Sequence, residues 1–125
     1  MDILLVDDNP LMQQLMARFL SELGYSVAIA GRADEAIELA RAEAPLLFLL
    51  DIHLPDRDGP EALVALRALP GCAATPAIAM SGMDESTIRA SLGTGFVAFL
   101  SKPIDLDVLE SIIAHQVNDR RARSV

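Results

Sequence analysis

Short apolar runs, each stopped by a polar residue and followed by a stretch with helical spacing, recur along the chain. This alternation constrains the fold more than any other feature. Ile3 to Val6 ends at Asp7-Asp8. Leu46 to Leu50 ends at Asp51, Ala77 to Met80 at Ser81-Gly82, and Phe96 to Leu100 at Ser101-Lys102-Pro103. Such short runs between turn residues read as buried strands. Leu46 to Leu50 is the most apolar and predicts a central strand covered on both faces. Tyr25 to Ala30 alternates and adds another strand.

The intervening stretches read as helices. Asn9 predicts an N-cap with Pro10 at the first helical position. Leu11, Leu15 and Leu23, with Met12, Phe19 and Leu20 nearby, then follow helical spacing until Gly24. Ala33 to Glu43 places Ala36, Ile37 and Ala40 inward and Glu35, Glu38 and Arg41 outward, and Pro45 ends it. His53 to Pro60 is expected to be a loop, with Asp58-Gly59 as its turn and Asp56 solvated. Further helices are predicted over Glu61 to Leu69, Glu85 to Leu92 and Leu106 to Val117. The last has Leu106, Leu109, Ile112 and Ile113 as its apolar face. Met12 and Met16 are expected in the core, Cys72 as a bystander in a loop, and His115 as a solvated helical residue.

Alternating strands and helices imply a parallel sheet with helices on both faces. A doubly wound five-stranded α/β sheet fits one domain over residues 1–118, with 119–125 as a basic tail or linker carrying Arg120, Arg121 and Arg123. Eighteen acidic against ten basic residues leave a net charge of −8, which disfavours nucleic acid as a partner. No apolar run approaches the roughly 20 residues of a membrane span. Met1-Asp2-Ile3 lacks the basic start of a signal peptide, so a cytoplasmic location is expected. A single cysteine excludes an intramolecular disulfide and a cysteine-based zinc site.

Sheets of this class carry their sites outside the carboxyl ends of the strands. Asp7, Asp8, Asp51, Ser81 and Lys102 would then share one edge. Three carboxylates in one pocket repel one another unless a proton or cation relieves them. Mg²⁺, a hard ion that takes carboxylates, waters and phosphate oxygens, suits them. A lysine and a hydroxyl converging there suit a tetrahedral anion, and a carboxylate can act as the nucleophile that forms an aspartyl-phosphate. Each residue alone has a plainer reading: strand-end Asp as turn former or cap, Ser81-Gly82 as a turn, Lys102 as solvated surface.

Together, Leu4-Leu5-Val6-Asp7-Asp8-Asn9, Asp51-Ile52-His53-Leu54-Pro55-Asp56-Arg57-Asp58-Gly59, Ser81-Gly82, Gly95 with Phe99, and Ser101-Lys102-Pro103 resemble the receiver domain of two-component response regulators. The resemblance covers almost the whole chain. It implies a flavodoxin-like sheet of order 2-1-3-4-5. It implies that Asp51 is the phosphoacceptor. Asp7 or Asp8, or both, would hold Mg²⁺ (Mn²⁺ being possible) together with Asp51 and the backbone carbonyl of His53. Ser81 would bond a phosphoryl oxygen and Lys102 would pair with Asp51 or its phosphoryl group. The Lys102-Pro103 peptide would be cis. Ser81 and Phe99 would form a packing switch, Phe99 standing where relatives often carry tyrosine. The implied donor is a histidine kinase or histidine phosphotransfer protein. The implied output is a downstream protein target on the face of the fourth helix, fifth strand and last helix. Met83 is expected to slow self-dephosphorylation. The domain would promote its own phosphorylation without turning over an external substrate, either as a stand-alone regulator or as the receiver of a longer one.

Rival functions leave gaps. A flavodoxin-like electron carrier needs a hydroxyl- and glycine-rich loop after the first strand, where Asp7-Asp8-Asn9-Pro10 would repel FMN phosphate. A dinucleotide enzyme needs a Gly-x-Gly-x-x-Gly turn there. A Mg²⁺-dependent aspartyl-phosphate phosphatase lacks a second carboxylate two residues after Asp51, where His53 stands. A pseudo-receiver scaffold that is never phosphorylated is the remaining alternative.

Overall fold

The computed structural model describes residues 1–82 and 95–123, with side chains described as far as residue 118. Its strands are β1 (Ile3–Val6), β2 (Val27–Ala30), β3 (Leu47–Asp51), β4 (Ala77–Ser81) and β5 (Ala98–Ser101). The described helices are α1 (Pro10–Glu22), α2 (Ala33–Ala42), α3 (Gly59–Arg67) and the C-terminal helix α4 (Leu106–Arg123). The strands form one parallel sheet in the order β2-β1-β3-β4-β5. The expected helix over residues 85–92 and the expected role of Met83 lie outside the described residues.

Alternation along each strand feeds two cores. Leu4, Val6, Phe48 and Leu50 face α2 and α3, meeting Ala36, Ala40, Ala62 and Leu66. Ile3, Leu5, Leu47, Leu49, Ile78 and Met80 face α1 and α4, meeting Met16, Leu20, Leu109, Ile113 and Val117. The central strands are therefore apolar at consecutive positions, as parallel strands covered on both faces require.

Several local expectations shift. In α1 the buried residues are Met16 and Leu20, whereas Leu11 is 77% and Leu15 53% exposed. Both sets obey helical spacing, and packing against β1 and β3 selects the stripe that includes Met12 and Phe19. Cys72 is a fully buried member of the core beneath α2 and α3. The C-terminal helix continues past Val117 to Arg123, into the segment expected to be a tail.

Helix α3 starts earlier than its apolar pattern suggests, because Asp58 is its N-cap: the Oδ1 atom accepts the Glu61 N–H at 2.9 Å. Gly59 is thus the first residue of a helix and not the tip of a turn. Its N–H donates to the Ile52 carbonyl at 2.8 Å, and a Cβ at this position would meet Ile52 Cδ1 at 2.7 Å and Ile52 Cα at 3.0 Å. The glycine is required by close approach to backbone. Gly59→Ala is expected to cost about 1–3 kcal/mol, the usual range for overpacking. Urea unfolding checks this, and a variant as stable as the parent would refute it.

Candidate functional site

Strands β1 and β3 are neighbours, with Val6 opposite Leu50. Asp7, immediately after β1, and Asp51, the last residue of β3, therefore emerge side by side at the carboxyl edge. Asp7 is fully buried, Asp51 is nearly so, and Asp8 is exposed. Each of the three offers a carboxylate oxygen, and these atoms lie within 4.8 Å of one another. Buried carboxylates this close repel strongly.

Lys102 answers the repulsion. Its Nζ donates to Asp51 Oδ2 at 3.0 Å and to Asp7 Oδ2 at 3.1 Å. Burial by itself would lower the ammonium's pKa. The hydrogen bonds and negative charges of Asp51 and Asp7 outweigh that and hold it above its ordinary value of 10.5. Lys102 reaches the pocket from the end of β5, where its N–H donates to the Ser81 carbonyl at 2.7 Å and the Lys102-Pro103 peptide is cis.

The other carboxylate oxygens are held by backbone. Asp7 Oδ1 accepts the Asn9 N–H at 2.9 Å, and Asp51 Oδ1 accepts the His53 N–H at 3.0 Å. Asn9 also caps α1, accepting from Leu11 and Met12. Gln13, one turn into α1, donates its amide to the Asp7 carbonyl at 2.6 Å. The His53 side chain is exposed, and it is the backbone N–H of His53 that meets Asp51. Ser81 is fully buried at the end of β4, opposite Ser101. Phe99 is half-buried and lines a groove of about 480 Å³ with Val97, Val108 and Ile112, its ring centroid 5.9 Å from that of Phe96.

The structure brings together Asp7, Asp8, Asp51 and Lys102, and it pairs Lys102 with Asp7 as well as with Asp51. Two contributors were missed from the sequence. One is Gln13. The other is Asp56, expected to be merely solvated: its two oxygens accept the N–H groups of Ala33 at 2.9 Å and Asp34 at 3.0 Å. A clue existed in Arg32, which precedes α2 and offers no side-chain cap. A helix start without Ser, Thr, Asp or Asn leaves donors for a distant residue to satisfy.

A model of the response regulator receiver domain matches residues 3–114. The chain belongs to this family. It is a receiver domain of two-component signal transduction. Response regulator Rre1 of Synechocystis is 34% identical over 125 residues, which cover 98% of this chain and 54% of that protein. The signal transduction histidine-protein kinase BarA of Escherichia coli K12 is 32% identical over 118 residues, 90% of this chain but 12% of the kinase. The chain thus spans about half of one relative and a small part of the other. Among solved structures, the receiver domain of sensor histidine kinase PA1611 from Pseudomonas aeruginosa superposes with a TM-score of 0.84 at 30% identity. That match covers 94% of this chain and 97% of that one, which holds a magnesium ion in its active-site cleft. Chemotaxis protein CheY4 of Vibrio cholerae shares the fold, with a TM-score of 0.81 at 22% identity.

The receiver's own donor set fits such an ion: three clustered carboxylates offer only hard oxygen ligands. Lys102→Met would leave two buried carboxylates facing each other. We expect it to lower stability near pH 8 by about 2 kcal/mol, below the full cost of breaking a buried pair because Lys102 is partly exposed. The Lys102 pKa is raised in the folded state. Its contribution is therefore fully present below 10.5 and lost as pH rises through the higher folded value. Urea unfolding of parent and variant from about pH 8 to about pH 12 should show the gap closing at the alkaline end. A gap independent of pH would refute the assignment.

Proposed function

We propose that this receiver accepts a phosphoryl group on Asp51 from a phosphohistidine and thereby switches a protein-interaction surface. The observation that carries the reading is the convergence of Asp7, Asp8, Asp51 and Lys102 at one edge, with Lys102 shared between the two buried carboxylates. In the transfer, an oxygen of Asp51 forms a bond to phosphorus as the bond from phosphorus to the donor imidazole breaks. Such transfers depend on alignment and charge neutralisation more than on acid–base chemistry.

The His53 N–H fixes one Asp51 oxygen and so orients the carboxylate. Lys102, already beside Asp51, is placed to neutralise the arriving phosphoryl oxygens. Asp7, Asp8, Asp51 and the backbone carbonyl of His53 would hold Mg²⁺ or Mn²⁺, which supplies positive charge against the same oxygens. Ser81, buried at the end of β4, is the hydroxyl proposed to bond a phosphoryl oxygen. Its movement would free space for Phe99 to turn inward, a packing switch driven by a local charge.

The donor is proposed to be a histidine kinase or histidine phosphotransfer protein, in keeping with matches to histidine kinases. The output is proposed to be a downstream protein on the face of β5, the C-terminal helix and the segment expected to form the helix before β5. The groove beside Phe99 supports that placement. We propose a cytoplasmic signalling role with no external substrate. The net charge of −8 argues against a nucleic-acid partner.

Intact-mass measurement with a small-molecule phosphodonor and Mg²⁺ tests the reading. The parent should gain one phosphoryl group, lose that gain with EDTA, and show none in Asp51→Asn. No gain from this donor or from a panel of phosphorylated histidine kinases would point instead to a pseudo-receiver scaffold. Phe99→Ala should still be phosphorylated but bind its output partner more weakly; unchanged binding would remove Phe99 from the switch.

A further inference from the structure

We infer that Asp56 is a positioning residue, which caps α2 from the loop after Asp51 and so holds the two sides of the acidic pocket at a fixed spacing. This rests on the proposed reading of Asp7, Asp8 and Asp51 as a Mg²⁺ site.

Helix α2 begins without a cap of its own, since Arg32 supplies no side-chain hydrogen bond. First-turn N–H groups without partners are costly. Asp56, more than twenty residues later in the chain, supplies acceptors for two of these donors: Oδ1 to Ala33 and Oδ2 to Asp34. Burial, the largest single influence, opposes its charge. The N–H groups of Ala33, Asp34 and Asp56 itself, with the nearby charge of Arg32, outweigh this and lower its pKa below 3.8. An ionised carboxylate at a helix N-terminus also meets the positive end of the helix dipole.

The linkage joins two chain segments, one following Asp51 and one following the strand paired beside Asp7. On one side stand Asp51 and His53, followed by a loop whose base is closed on itself. Gly59 N–H bonds the Ile52 carbonyl, and His53 pairs with Asp58. On the other side stands Asp7, whose N–H donates at 3.0 Å to Ala30, the last residue of β2 and close before α2. Asp56 joins the closed loop to the start of α2. An exposed ion pair between Arg57 and Asp34, 3.3 Å long, adds a weaker tie at the same place. Groups that orient a metal's ligands in this way affect affinity without touching the metal.

A cap that served only α2 would alter stability and leave metal affinity alone, which separates the two roles. Mg²⁺ affinity is to be measured by isothermal titration calorimetry at a temperature where every variant is folded, with urea unfolding in parallel. Asp56→Ala should weaken Mg²⁺ binding about 10-fold and lower the unfolding midpoint. Adding Arg32→Ser to Asp56→Ala gives α2 a local cap, so the midpoint should recover while Mg²⁺ affinity stays weak. Equal Mg²⁺ affinity in parent and Asp56→Ala would overturn the positioning role and leave the metal site standing. Recovery of both properties in the double variant would likewise reduce Asp56 to a helix cap. A parent that takes up no Mg²⁺ would overturn the metal reading and this role with it.

Discussion

The ammonium of Lys102, shared between the carboxylates of Asp7 and Asp51, is the interaction on which the site depends. Two buried acids at the ends of adjacent strands would otherwise repel each other across that edge of the sheet. One lysine between them lets both remain in a largely dry pocket. It also keeps a positive charge where an anion is expected to arrive. A buried ion pair of this kind is weak support for stability in itself, because its attraction is largely spent against desolvation. Its value here is in specification: three strands must end in register for the three groups to meet.

That registration comes from the sheet. Parallel pairing of β1 with β3, β3 with β4, and β4 with β5 brings Asp7, Asp51, Ser81 and Lys102 to one edge. Two apolar cores, one on each face, lock the pairing, since a slip by one residue would exchange every inward side chain between the α2/α3 layer and the α1/α4 layer. The packing that stabilises the domain and the alignment of the site are therefore the same contacts. The loops then complete the pocket with backbone groups: Asn9 and His53 N–H on the carboxylates, and the Gln13 amide on the Asp7 carbonyl.

The loop after Asp51 shows how tightly local and distant demands are joined. Asp58 caps α3, Gly59 lets the chain lie against Ile52, and Asp56 caps α2. Three residues in four thus have separate mechanical duties within a segment that carries the backbone beside Asp51. The Asp58 cap is a short-range signal of the kind sequence patterns reveal. The Asp56 cap joins elements separated by a whole strand and helix, and nothing in its immediate neighbours announces it.

Much was legible from residue order alone. Apolar runs ending in Asp7-Asp8, Asp51, Ser81 and Ser101-Lys102, with the alternating stretch Tyr25 to Ala30, carried the strand count, the parallel class and the edge at which a site is expected, because burial on both faces forces consecutive apolar residues and turns force polar ones. Local geometry marked Asn9 and Pro10 as a helix start, because that particular cap involves only neighbouring residues. Which stripe of α1 is buried could not be read that way, since Leu11 and Leu15 fit helical spacing as well as Met16 and Leu20 do. Cys72 lies in a loop, as its neighbours suggest, but its burial beneath α2 and α3 shows only in the packed structure. The second partner of Lys102, the reach of Gln13 and the cap supplied by Asp56 all join groups distant in sequence. Sequence by itself determined which polar groups were present and at which strand ends they would stand. Only the tertiary structure decided which atoms meet, because such contacts depend on how whole elements pack and not on any pattern along the chain.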